Sequence, residues 1–280
     1  MTVTAVERCL SLIEALAGEA EPLELSDLAD RVGLPASATH RTLSTLLARG
    51  WVVQDASNQN YALSLRLSTI AFRNLDIRAV PDIVQPVLNK LATRTREYCR
   101  LALVEGENLF WVARAQGATA GLRYDPDMGQ EIVLHATANG KAWLATLAEN
   151  DALRIVCGHG FEAGRPLGPR AITTVDDLRR HLSETRTRGY ALAVDEAEPG
   201  TAALAVAFYA DTFQGAPVAG TISIAGPLLR IAPERYDDLS RDLQLAAKEI
   251  SALWPLRMRQ RGIRPTTGAG LRDQPKESVG

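Results

Sequence analysis

Between residues 23 and 63 the chain runs through two short helical patterns split by a glycine, then two short strand patterns split by a polar turn. Few small folds accept that order. Leu28, Ala29 and Val32 recur at helical spacing behind Ser26, an expected N-cap, and Asp27 puts a carboxylate in the first turn, where it suits the helix dipole. Gly33 supplies the turn, and Pro35 is expected to open the next helix, where its missing N–H would have no partner anyway. Leu43, Leu46 and Leu47 mark one buried face of that helix, and Ser37, Thr39, His40, Arg41 and Ser44 occupy much of the rest. Gly50 stands just past its end. Trp51-Val52-Val53 and Tyr61-Ala62-Leu63 flank Ala-Ser-Asn-Gln-Asn and read as a hairpin. Upstream, Val6, Leu10, Ile13 and Ala17 predict one more amphipathic helix.

Helix, helix, helix, hairpin is the order of a winged helix-turn-helix. Its second helix can pack on a small core while offering side chains to base edges in a DNA groove. Thr39, His40 and Arg41 are the expected base readers, and Ser37 and Ser44 the expected phosphate contacts. Asn58, within Ser57–Asn60, is the expected contact of the wing with backbone or minor groove. Charge is less helpful: over residues 1–79 acidic side chains slightly outnumber basic ones, so the strong basic bias of a non-specific DNA binder is missing. The acids cluster before the second helix, however, and none lies between Asp30 and Asp55, where His40, Arg41 and Arg49 stand. Binding would therefore lean on base contacts and on a second copy of the module. The pattern also suits an enzyme or a small-molecule sensor whose N-terminal module serves only dimerisation.

At 280 residues the chain is long for one domain and comfortable for two. With 46% hydrophobic and 23% charged residues it has the composition of a soluble globular protein. No apolar run approaches the roughly 20 residues of a membrane helix and no leader pattern opens the chain, so a cytoplasmic protein is expected. Its 3 cysteines, Cys9, Cys99 and Cys157, are odd in number and far apart, which fits reduced thiols rather than a disulfide framework. A net charge of −2 argues against a surface that coats a polyanion.

Leu67, Ile70, Ala71 and Leu75 predict a linker helix over 66–78, with Pro81 close behind. A helix over 82–96 should bury Ile83, Val87, Leu88 and Leu91. Tyr98–Val104 and Leu109–Ala113 form an expected hairpin around Glu-Gly-Glu-Asn. A short strand, Ile132-Val133-Leu134, should lead into a helix at about 138–148. Thr174 is the expected cap of a helix ending near Gly189. Ala203–Phe208 and Val218–Ile224 read as neighbouring strands, and a last helix is expected from about Pro233 to Arg261. Helices bracketing an antiparallel sheet give an α+β second domain. The expected division is 1–65, a linker helix at 66–80, a second domain at 81–261 and a disordered tail at 262–280.

The second domain's most distinctive stretch is Leu134-His135-Ala136-Thr137-Ala138-Asn139-Gly140-Lys141-Ala142. A loop of small residues opening a helix directs backbone N–H groups outward, an arrangement that receives a carboxylate or phosphate. A nucleotide P-loop fails on spacing: His135 stands where the first glycine belongs, and Ala142 replaces the Mg²⁺-binding hydroxyl. His135, Asp195 and Ser223 have the residue types of a triad but lack a Gly-x-Ser-x-Gly elbow. Cys157-Gly158-His159 offers two close zinc ligands where a structural site wants four, and reads as a loop. No cofactor or metal is expected. Trp111 and Arg123-Tyr124 are candidates for a pocket mouth or an oligomer interface.

Read together, several segments resemble the IclR family of bacterial transcriptional regulators. They are Leu34-Pro35 with Thr39–Leu43, Tyr61–Leu63, His135–Ala138 with Gly140–Ala142 and Leu144-Ala145, Arg188-Gly189-Tyr190, and Ile222–Ile224 with Gly226-Pro227. The resemblance covers about residues 4–250. It implies a winged helix, a linker helix, a GAF-like effector domain, a homodimer or homotetramer, a double-stranded DNA operator, and control of a catabolic operon by a small organic acid. Carried over residue by residue, it implies an effector site at Ala138, Asn139, Val194, Ala203 and Ser223. Ala203 stands where some relatives have cysteine, Ala225 where some have a second serine, and Ala193 and Val194 where some are acidic. A pocket with so few polar anchors implies an apolar effector such as an aromatic carboxylate.

Overall fold

The structure is a computed structural model and describes residues 4–256. It divides into two compact units, Met1–Ile77 and Arg78–Gly280. The expected tail at 262–280 and the end of the last helix lie outside the described residues.

The first unit runs α1 (Thr4–Ala17), α2 (Leu25–Arg31), α3 (Ala36–Ala48), β1 (Val52–Gln54), β2 (Tyr61–Leu63) and α4 (Arg66–Ile77). The strands pair antiparallel, Val53 opposite Ala62, and Leu23 bridges to Tyr61, so the segment between α1 and α2 adds a third edge to the hairpin. Leu12, Leu16, Leu28, Leu43, Leu46, Val52 and Tyr61 form the core. Gly33 and Gly50 both have positive φ, +62° and +70°, which permits the tight turns after α2 and α3. Three local expectations need correction. Ser26 is not the N-cap of α2: Glu24 holds that position with no side-chain bond. Pro35 is the N-cap of α3 rather than its first helical residue, and its carbonyl accepts the first helical N–H groups. On α1 the buried face carries Leu12 and Leu16, while Val6 and Leu10 are about half exposed, at 54% and 53%. The helix has two apolar stripes, and of the one that periodicity selected only Ile13 packs against the core. α4 buries none of its residues, and Ile70, Phe72 and Ile77 are exposed on it.

The second unit begins with α5 (Val80–Thr95), β3 (Tyr98–Glu105) and β4 (Asn108–Gln116). After a long irregular crossing come α6 (Ala138–Leu144), α7 (Glu149–His159), α8 (Val175–Arg188), β5 (Ala191–Val194), β6 (Thr201–Tyr209) and β7 (Val218–Pro227). A 3-10 turn at Pro233–Arg235 leads into α9 (Tyr236–Leu253). The strands make one antiparallel sheet in the order β4-β3-β7-β6-β5. This α+β architecture, a sheet flanked by helices behind a winged helix-turn-helix, is the expected fold class. One sheet face packs on α5 and α9 through Leu88, Leu101, Leu204, Ile222, Ile224 and Leu243. The other packs on α6, which is buried along its whole length.

Ile132-Val133-Leu134 forms no strand: the Val133 carbonyl accepts the Ala136 and Thr137 N–H groups in a turn, and the helix after it spans only Ala138–Leu144. Cys157 and His159 end α7 rather than lying in a loop, and the strand β5 went unpredicted because four residues give too little alternation to read. Thr174 does cap α8, its Oγ1 accepting the Asp177 N–H. The described cysteines are all unpaired, and they differ in reactivity. Burial pushes the Cys99 thiol up to about 12, with Glu97 acting in the same direction, whereas Cys157 is exposed. Iodoacetamide at about pH 8 is expected to alkylate Cys157 and spare Cys99, because only the thiolate attacks. Peptide mass spectrometry checks this, and equal labelling of both in folded protein would contradict the burial of β3.

Candidate functional site

On α3 the exposed residues Ser37, His40, Arg41, Ser44 and Thr45 follow one another at helical spacing opposite Leu43 and Leu46. Ser44 Oγ donates to the His40 carbonyl at 2.8 Å and Thr45 Oγ1 to the Arg41 carbonyl at 3.1 Å, so both hydroxyls are folded back on their own helix. Thr39 is the exception among the expected base readers. It is fully buried, at 0%, and its Oγ1 donates to the Pro35 carbonyl at 3.2 Å. Helical geometry turns Thr39 inward, on the side of Leu43 and Leu46, so its role is to brace the start of α3. In the wing turn Asn58 is exposed, and its Oδ1 accepts the Asn60 N–H at 2.9 Å. Asp55 accepts from both the N–H and the hydroxyl of Ser57, which hold its carboxyl below the usual range.

In the second unit the face under α6 is made of small side chains. Ala191 and Ala193 on β5, Ala203 and Ala205 on β6, and Ala138 and Ala142 on α6 form one cluster. Gly140 allows the close approach at the start of α6: a Cβ there would lie 2.2 Å from the Leu134 carbonyl oxygen. Thr137 caps this helix, its Oγ1 accepting the Gly140 N–H at 3.1 Å. Asn139 Nδ2 donates to Thr221 Oγ1 on β7 at 3.0 Å, so the amide is tied to the sheet.

This packing leaves a narrow, partly open cavity of about 30 Å³. Its lining includes Ala138, Asn139, Ala203 and Ser223, all expected at the effector site, together with Arg100, Trp111 and Tyr124. Val194 does not reach it. Side chains alternate along a strand, so Ala193 faces the cavity and Val194 packs on the opposite core with α5 and α9. Ser223 Oγ is 3.5 Å from the Arg100 carbonyl, the residue opposite it across β3 and β7. A larger open groove of about 720 Å³ lies over α8, β6 and α9, lined by Tyr190, Tyr209, Phe213 and Lys248 among others. It contains none of the expected effector residues. The small cavity is the candidate site, with the polar groups of Arg100, Asn139 and Ser223 on its lining.

Two features of this region were not expected from the chain. Lys141, fully buried at 0%, forms an ion pair with buried Glu196, Nζ to Oε2 at 2.5 Å. Burial lowers the Lys141 pKa and raises that of Glu196, and each partner's charge opposes the shift. The pair ties α6 to the turn that follows β5. That turn is braced further: Asp195 sits at φ +55°, its Oδ1 accepts the Gly200 N–H at 2.6 Å, and Gly168 approaches it too closely to carry a Cβ. The second feature is Arg100, 9% exposed, whose guanidinium lies 3.9 Å from the centre of the Trp111 ring. The available signals were a lone cation in the apolar strand Tyr98–Val104 and an acid just past β5.

His135, Asp195 and Ser223 do not form a triad. Their recorded partners lie elsewhere, and the buried His135 Nε2 has none; its ring instead lies 5.1 Å from that of Phe161. Among the described residues no cluster of three or more His, Cys, Asp or Glu could hold a metal, and no helix is long and apolar enough to cross a membrane.

A winged helix-turn-helix followed by a helix-flanked antiparallel sheet domain defines a class: a DNA-binding regulator with a separate C-terminal domain. Residues 5–56 match the IclR helix-turn-helix domain and residues 69–252 match the bacterial transcriptional regulator IclR C-terminal domain. The chain belongs to the IclR family of bacterial transcriptional regulators, and it is not an enzyme. It is 28% identical over 250 residues to the transcriptional repressor IclR of Escherichia coli, covering 89% of each chain. A solved IclR regulator from Alicyclobacillus acidocaldarius shares the fold with a TM-score of 0.75 and 24% identity, over 91% of this chain and 100% of that one. An IclR homologue from Microbacterium hydrocarbonoxydans, solved in complex with 4-hydroxybenzoate, matches with a TM-score of 0.71 and 21% identity, over 91% of this chain and 99% of that one.

Proposed function

We propose that this DNA-binding regulator is a cytoplasmic repressor of a catabolic operon, released or reset by a small organic acid held in the cavity beneath α6. The observation that carries the reading is the exposed row Ser37, His40, Arg41 and Ser44 on a winged-helix α3, in a chain whose second unit contains a cavity with a buried guanidinium. His40 and Arg41 read base edges in the major groove, Ser37 contacts a phosphate, Ser44 does so once its hydroxyl rotates off the His40 carbonyl, and Asn58 carries the wing contact. The curated relative is a repressor, and a homologue of the same fold binds 4-hydroxybenzoate, which supports both halves. Acid binding would change the spacing of paired recognition helices in a homodimer or homotetramer, coupling two separate sites. The half-exposed Val6 and Leu10 on α1, and the exposed Ile70, Phe72 and Ile77 on α4, favour such self-association, since apolar rows of this kind mark protein contacts.

The test is fluorescence anisotropy on the DNA upstream of the protein's own gene. Arg41→Ala is expected to weaken operator binding by about 10-fold or more, since one good base contact contributes about 1–3 kcal/mol of discrimination. Acid binding, followed by calorimetry, should be unchanged. Operator affinity equal to wild type in the Arg41→Ala protein would overturn the docking assignment.

A further inference from the structure

Arg100 is a misfit in its surroundings. It sits on the third position of β3, between Arg114 on β4 and Ser223 on β7, with its side chain on the face that carries the alanines. Its Nε is buried and has no hydrogen-bond partner. A buried cation is normally paired, because the loss of water around it must be offset by an opposite charge. The stacking on Trp111 offsets part of that cost and fixes the guanidinium plane. Arg165 repeats the condition: its Nη1 donates to the Ala197 carbonyl at 2.8 Å, its Nε is likewise unpartnered, and its charge acts on Arg100 and on Tyr124. Glu198 is half-buried between Ala197 and Thr201, which line the cavity, and its carbonyl accepts the Thr201 hydroxyl at 2.8 Å; its carboxylate is the acid whose charge acts on Arg100. Arg165 and Glu198 stand outside the lining, so among the residues that line the cavity Arg100 alone carries a charge.

We propose that Arg100 reads the carboxylate of the effector, and that Glu198 is the internal carboxylate which stands in for it when the site is empty. This rests on the cavity being the effector site. The guanidinium offers a fork matched to a carboxylate, and Trp111 and Tyr124 supply ring faces for a flat apolar body. The chemical class is an aromatic or otherwise planar monocarboxylic acid. At about 30 Å³ the narrow cavity holds little more than one water, far below the several hundred Å³ of an occupied ligand site. Entry of the acid moves the turn after β5 outward at Ala197 and Thr201, which line the cavity, and takes Glu198 between them with it. Effector binding and displacement of the turn after β5 become one event. The ion pair of Glu196 with Lys141 holds the near end of that turn, so the motion is confined to the residues beyond it.

The experiment is calorimetric titration of the full-length protein with benzoate, 4-hydroxybenzoate and phenylacetate, each against its neutral amide. Wild type is expected to prefer acid over amide. Arg100→Gln should reduce that preference about 10- to 100-fold, the range of a lost charge-assisted hydrogen bond. Arg100→Lys, which keeps the charge without the fork, should fall between the two. Glu198→Gln should bind the acids about 5-fold more tightly and leave the amides unchanged, because the competing carboxylate is gone. Circular dichroism melts confirm that each variant is folded, and Glu198→Gln supports or refutes the exchange even where Arg100 variants misfold. An acid preference unchanged in Arg100→Gln, or acids bound more weakly by Glu198→Gln, overturns the proposal while leaving the cavity as the effector site. Amides bound as well as acids by wild type has the same meaning. Binding of neither series by wild type overturns the effector-site reading itself and the proposal with it.

Discussion

Lys141→Met is expected to destabilise the second unit by about 3–5 kcal/mol, the cost of stranding one partner of a buried ion pair. Lys141 is fully buried and its Nζ lies 2.5 Å from Glu196, which is itself 4% exposed. Methionine fills much of the same volume, so the loss would come from the charge left behind rather than from a cavity. The variant should also acquire a pH signature. Burial already raises the Glu196 pKa, and removing the lysine removes the charge that opposes the shift. An acid whose pKa is higher folded than unfolded binds its proton more tightly in the fold. Stability therefore falls as pH rises from the unfolded carboxylate value through the raised folded one. Urea titrations of Lys141→Met should show stability recovering toward acid pH. The double variant Lys141→Met, Glu196→Gln should recover most of the loss at neutral pH, because the amide keeps a side-chain oxygen for the Val194 N–H at 3.3 Å without a stranded charge. A loss below about 1 kcal/mol in the single variant would mean that water reaches the pair.

The second large effect is expected in the other unit. Leu43→Ala on α3 should cost about 2–5 kcal/mol, because Leu43 is 0% exposed at the centre of a core built from few side chains. A domain of this size has about 5 kcal/mol or somewhat more in total, so the winged helix would be partly or wholly unfolded at growth temperature. The two units have separate cores, so a thermal scan should lose or shift one transition and keep the other. Operator binding should disappear while acid binding persists. Leu10→Ala, at a residue 53% exposed on α1, is the comparison: outside a self-association contact it should change stability by about 0.5 kcal/mol or less, and any larger loss should depend on protein concentration. If both leucines cost the same, the two stripes of α1 and the core they frame have been assigned wrongly.

Much of the architecture could be read from the chain because local chemistry and global fold agree there. Gly33, Pro35 and Gly50 place the turns of the winged helix, and Thr174 and Gly189 bracket α8. Errors arose where two local readings were equally good. α1 carries apolar residues on two faces, and only the position of α2 and α3 selects Leu12 and Leu16 over Val6 and Leu10. Thr39 is polar by type but turned inward by the helix, with its hydroxyl satisfied by the Pro35 carbonyl. Val194 and Ala193 exchange roles because the one-residue phase of β5 is set by its pairing with β6. A four-residue strand with Ala-Leu-Ala-Val for a sequence has no polar residue to mark which side is wet.

The cavity divides in the same way. Ala138, Asn139, Ala203 and Ser223 were accessible to sequence reading because they sit in or near short distinctive segments. Trp111 and Tyr124 could be read as candidates for a pocket mouth or an oligomer interface, but Arg100 could not, since what joins the three is strand pairing and a crossing loop rather than proximity along the chain. The Lys141–Glu196 pair spans 55 residues, and neither residue type predicts a buried position.

The amino-acid sequence by itself determined the two-part plan, the winged helix with its exposed His40 and Arg41, and the small-residue surface on which α6 could settle. These follow from turn residues, helical and strand periodicity, and side-chain size, all of which act within a few residues. Only the tertiary structure decided which faces are wet, which charges are buried, and which guanidinium lacks a partner. Burial and pairing are properties of residues brought together from distant positions, and a charge becomes expensive only once the fold has taken its water away.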